Sequence, residues 1–107
     1  MTDTRADELV QRMNQDMRQA LKNNQPITLN ELRSLLAWIS NAQAVPVVDH
    51  PDATEVPRKT LTFDDIQEIL AAEMSELQEA LNTVGQTSPY SDELRGKIAV
   101  VEAYQER

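Results

Sequence analysis

The sequence predicts an all-α domain of four helices, on three observations. Apolar residues recur at steps of three and four in four separate stretches, the spacing that gathers them on one helical face. Only two glycines occur, Gly85 and Gly96, fewer than the turns of a β-sandwich or barrel of this length need. Aromatic residues make up 4% of the chain, so the core must be aliphatic, which suits helix-on-helix packing. With 107 residues, one small core is within reach and a second independent domain is not.

The first stripe is Leu9, Met13, Met17, Ala20 and Leu21, with Val10 at its margin, and predicts a helix over about 5–22. Thr4 or Asp3 is placed to cap it, and Asn23-Asn24-Gln25-Pro26 ends it, because proline pushes its predecessor into extended geometry. A second helix is expected over about 29–44. Thr28-Leu29-Asn30-Glu31 reads there as a capping box, with Ile27 and Leu32 as the staple. Leu32, Leu35, Leu36, Ile39 and Ala42 form its buried face, with Trp38 to one side.

Pro46, Pro51 and Pro57 mark 45–61 as a long loop between helices 2 and 3. A second capping box, Thr62-Phe63-Asp64-Asp65 with Leu61 and Ile66 as staple, opens a helix over 63–84. Its stripe is Ile66, Ile69, Leu70, Met74, Leu77, Leu81 and Val84, and Gly85 suits the position after its end. Ser88-Pro89 offers an N-cap and first-turn pair for a fourth helix over about 90–105, carried by Leu94, Ile98, Val101 and Tyr104.

Composition excludes several function classes. No cysteine is present, which removes disulfides, thiolate metal sites and a cysteine nucleophile, and makes a reducing cytoplasm the natural compartment. The polar start carries no signal-peptide run, and no stretch is apolar enough to span a bilayer. A net charge of −8 opposes non-specific attraction to phosphate backbones or anionic lipid while leaving room for a local basic patch. No Ser-His-Asp arrangement, phosphate-cradling glycine loop or base-stacking aromatic platform is evident, so no cofactor is expected.

In order along the chain, several blocks resemble the GatB/YqeY family. Asp16-Met17-Arg18-Gln19-Ala20-Leu21-Lys22 is similar to its opening helix, and Leu32-Arg33-Ser34-Leu35-Leu36-Ala37-Trp38-Ile39-Ser40-Asn41-Ala42 to its L-R-x-L-L-x-x-I-x-N-A stretch. Leu61-Thr62, Asp65-Ile66 and Ile69 to Glu73 resemble the start of its third helix. Gly85 and Ile98 to Tyr104 resemble its G…I-x-V-L-E-x-Y ending. The resemblance covers nearly the whole chain and corresponds to the family's N-terminal helical subdomain. It implies kinship with the tail of the aspartyl/glutamyl-tRNA amidotransferase B subunit, a helical module that helps engage tRNA while the chemistry occurs elsewhere. The implied partners are tRNA or an amidotransferase-related protein.

Each candidate residue has a functional and a plainer reading. Arg12, Arg18, Lys22 and Arg33 are a basic set able to grip phosphates, or else solvated cations, with Arg12 and Asp16 an ordinary i,i+4 pair. Arg33 and Asn41 lie about two turns apart and offer a guanidinium and an amide to RNA or a partner; otherwise Arg33 pairs with Glu73 and Asn41 satisfies a loop carbonyl. Trp38 is either a core edge or an interface anchor.

Glu73, Glu76 and Glu93 are weak candidates for Mg²⁺, in a pattern similar to the all-α MazG-type nucleotide pyrophosphohydrolases. Gly96 stands where the last aspartate of that pattern belongs, and the plainer reading is a solvated acidic face. His50, the chain's one histidine, reads as a solvated loop residue.

Three functions follow as expectations, the third being a Mg²⁺-dependent nucleotide pyrophosphohydrolase of the MazG type built on the glutamates above. The first is a helical accessory module that binds and positions, associated with tRNA or amidotransferase machinery, its RNA-facing surface on the first two helices because the third is acidic. The second is an acidic protein-interaction module, with homodimerisation through an open apolar stripe as one form.

Overall fold

A computed structural model describes residues 4–44, 60–85 and 87–106. Four helices hold 84% of these residues, and no strand occurs among them, so the fold is all-α. Most of the loop expected at 45–61, His50 with it, lies outside the described residues, as does Asp3.

α1 (Thr4–Lys22) buries Ala6, Leu9, Met13 and Ala20. Leu21, expected on that stripe, is 62% exposed, because it falls about 80° round the helix from Met13. Asn24 ends the helix in the left-handed region at φ 54, which asparagine tolerates better than most residues. The Gln25 amide then donates to the Ala20 carbonyl at 2.8 Å and the Asn24 amide to that of Leu21 at 3.3 Å. These are the two crossed bonds of a Schellman ending, which use carbonyls the helix would otherwise leave open.

α2 (Pro26–Gln43) starts three residues earlier than the Thr28 box predicts. Pro26 occupies the first helical position, where its missing N–H costs nothing, and Gln25 before it is held out of the helix. Gln25 makes no side-chain cap. Thr28 and Glu31 are therefore interior residues of the helix, and Glu31 turns inward beside Leu32, Leu35 and Ile39.

α3 (Phe63–Val84) starts where its box predicts. The Asp65 amide donates to Thr62 Oγ1 at 3.1 Å and the Thr62 amide to Asp65 Oδ2 at 2.9 Å, with Leu61 and Ile66 buried beneath. Gly85 closes it at φ 77. α4 (Pro89–Glu102) is capped by Ser88 Oγ, which accepts from the Tyr90 amide at 3.2 Å. It ends short of residue 105 because its last bonds tighten to three-residue spacing, Tyr104 to Val101 and Gln105 to Glu102.

The densest packing joins α3 to α4 and α1 to α2, and α2 touches all three others. The core is Leu9, Met13, Leu32, Leu35, Ile39, Ile66, Leu70, Leu77 and Val101 with their neighbours. Gly96 lets α4 approach the start of α2: a Cβ there would lie 3.0 Å from Ile27 Cγ2.

Past α4 the chain turns back across α1 and α3 as a polar clasp. The Arg12 guanidinium lies 4.8 Å over the Tyr104 ring and donates to the Ala103 carbonyl, and the Tyr104 hydroxyl donates to Asp16. Gln67 of α3 donates to the Tyr104 carbonyl at 3.0 Å and accepts from the Glu106 amide at 2.8 Å. Arg5 pairs with Glu106 at 3.1 Å. No helix among the described residues is long and apolar enough to cross a membrane.

Candidate functional site

α2 places Glu31, Leu35 and Trp38 at successive turns of one face, i, i+4 and i+7. α3 brings Ile69, Ala72, Glu73 and Glu76 to the same junction, and α4 brings Lys97. Trp38, Ile69, Ala72, Glu73 and Glu76 line a groove of about 170 Å³. Trp38 is 51% exposed along one side of it.

Glu31 lies behind this lining at 2% exposure, and its side chain shares a hydrogen bond with Glu73. A bond between two carboxyl groups needs a proton. Burial pushes the Glu31 pKa up from 4.5 to about 7; the Glu73 charge and the shared bond push the same way, while Lys97 opposes them. Glu73 is also raised, first by burial and then by Glu76, while the bond from Glu31 and the Lys97 charge lower it. Burial thus raises both carboxyl groups, and the pair holds a proton between them. Glu31 Oε2 is buried without a hydrogen-bond partner among the described residues. Lys97 sits 3.9 Å from Glu93, so this ammonium is divided between the pair and its own helix.

The basic candidates differ in their surroundings. Arg12 is committed to the clasp, 3.9 Å from Asp16 and stacked on Tyr104. Arg18, Lys22 and Arg33 are exposed and make no ion pair with any described residue. The Arg33–Glu73 pair considered from the sequence does not form: Arg33 faces solvent, and Glu73 meets Glu31 instead. Asn41 is exposed near the end of α2, where its carbonyl accepts from the Ala44 amide at 3.2 Å.

Glu73 and Glu76 share the groove, while Glu93 is held beside Lys97 on α4. No three acidic or histidine groups among the described residues are gathered to hold a metal ion. Ile27 fills the space beside Gly96 that the missing aspartate of the pyrophosphohydrolase pattern would need.

Glu31 is the residue that sequence reasoning misplaced. Its assignment to a capping box hid its alignment with Leu35 and Trp38, which was the available signal. No family model, no curated protein and no solved structure matches the chain.

Proposed function

We propose that this chain is a helical recognition module that binds a protein partner in the groove beside Trp38 and acts by positioning that partner. The half-exposed Trp38 against the apolar Ile69–Ala72 wall carries this reading. Tryptophan in such a setting supplies large contact area at little entropic cost, and it is enriched where interfaces concentrate their energy. The acidic rim of Glu73 and Glu76 adds orientation.

The test is affinity capture from nuclease-treated lysate with the wild-type chain and with Trp38→Ala. The expected result is a protein retained by the wild type and lost with the variant, while Arg18→Ala combined with Arg33→Ala leaves it in place. Equal recovery on all three proteins would count against the groove. Sedimentation over a concentration series identifies a second copy of the chain as the occupant, if a Trp38-dependent dimer forms.

A second reading follows the GatB/YqeY resemblance to tRNA. It is favoured by the exposure of Arg18, Lys22 and Arg33 without ion pairs to described residues. Phosphate contacts of this kind predict a low-salt gel shift that weakens with added salt and with the double arginine substitution.

A further inference from the structure

We infer that the groove beside Trp38 receives an arginine side chain of the partner protein, its guanidinium seated between the Trp38 ring and the carboxyl groups of Glu73 and Glu76. This rests on the recognition reading above and adds the chemistry of what is recognised.

Among the described residues the groove's ionisable lining is Glu73 and Glu76, both acidic, and Glu31, bonded to Glu73, keeps one buried carboxyl oxygen without a partner. A buried polar atom with no partner is rare in folded chains and calls for a cause. The charged groups that act on the pair are Glu76 from α3 and Lys97 from α4, and Lys97 is also held by Glu93. The groove itself presents two carboxyl groups and no cation among its lining residues, so a cationic side chain complements it.

A guanidinium fits where an ammonium fits less well. Its flat fork bonds a carboxylate through two N–H groups while its face stacks on an aromatic ring. Its aliphatic stem suits the wall made by Ile69 and Ala72. Arrival of the cation favours the ionised form of the neighbouring Glu31–Glu73 pair, so part of the proton held there passes to solvent.

A random-peptide phage library selected on the protein, with counter-selection on Trp38→Ala, tests the inference. The expected consensus contains an arginine flanked by aliphatic residues. The selected peptide is then synthesised with arginine, lysine or citrulline at that position and titrated by fluorescence of Trp38, the chain's one tryptophan. Citrulline, a neutral isostere, should lose at least about ten-fold in affinity, and Glu73→Gln should abolish the difference between the two. Calorimetry at pH 7 in two buffers of different ionisation enthalpy should show proton release with the wild type and none with Glu31→Gln. A Trp38-dependent consensus without a basic residue, or equal binding of the arginine and citrulline peptides, overturns the inference and leaves the recognition reading standing. Lysine binding as tightly as arginine overturns the guanidinium assignment. A library that yields no Trp38-dependent consensus overturns both.

Discussion

Two polar clusters tie helices together in this fold, and they are built on opposite terms. In the clasp behind α4, cation meets aromatic ring and carboxylate meets donor: Arg12 covers Tyr104, Tyr104 donates to Asp16, and Gln67 is used at both ends of its amide. At the α2–α3 junction an acid meets an acid, and an oxygen of Glu31 is left over. A satisfied polar network holds a fold together, whereas a buried carboxyl pair is tolerated only while it keeps a proton or gains a cation. The first cluster is thus a fastening. The second answers to pH and to whatever enters the groove.

The harshest way to break the comparison is to remove the centre of the fastening. Tyr104 is 6% exposed and belongs to the core as well as the clasp. Tyr104→Ala should cost about 3 kcal/mol, a large share of what a chain this size commands, and chemical denaturation would read it directly. Tyr104→Phe keeps the ring under Arg12 and gives up only the bond to Asp16, so the loss should drop to about 1 kcal/mol. Burial and the Asp16 carboxylate push the phenol pKa up, so the neutral hydroxyl persists across the neutral range and neither loss should vary between pH 5 and 8. A marked pH dependence there would show that the clasp titrates as well, and the contrast with the groove would fail.

The second cluster should respond in the reverse sense. Glu31 has a folded-state pKa of about 7 against an ordinary 4.5, so the native chain keeps a proton that the unfolded chain has already released. The stability tied to that proton is whole below about pH 4.5, declines as pH rises through 7, and is gone above it. Glu31→Gln mimics the protonated acid: its amide can still donate to Glu73, and it cannot ionise. The substitution should therefore stabilise the fold by on the order of 2 kcal/mol at pH 8 and change little at pH 5, seen as a rise in Tm confined to the alkaline side. Destabilisation at both pH values would mean that the Glu31 carboxylate is needed as a charge, and the shared proton would be lost from the account.

Much of this architecture is legible from residue spacing alone. The 3–4 periodicity of Ile66, Leu70, Met74 and Leu77 and the Thr62 box place α3, because both signals are local and nothing nearby competes with them. The groove was less visible. Trp38 stood out by residue type, but its half-exposure depends on how α3 packs beside α2, which no local pattern encodes. Glu31 was hidden by a conflict between two start signals three residues apart, Thr28 with Glu31 and the Gln25–Pro26 step. The proline won because its ring fixes φ before any side chain can act, while the Schellman turn at Asn24 delivers the chain to it in the right direction.

That conflict yields the smallest of the predicted effects, and the one that separates motif from mechanism most cleanly. Thr28-x-x-Glu31 and Thr62-x-x-Asp65 satisfy the same sequence rule, yet only the second makes the two reciprocal bonds of a cap. Thr62→Ala removes a hydroxyl that accepts the Asp65 amide and should cost about 1 kcal/mol. Thr28→Ala alters a residue already inside the first turn of α2, where alanine is the better helix former, so its effect should stay within about 0.5 kcal/mol of zero. Equal losses would restore Thr28 as the cap, move the start of α2 forward, and turn Glu31 away from Glu73. The acid pair that distinguishes the groove from the clasp therefore goes with a helix started at Pro26 and not at Thr28.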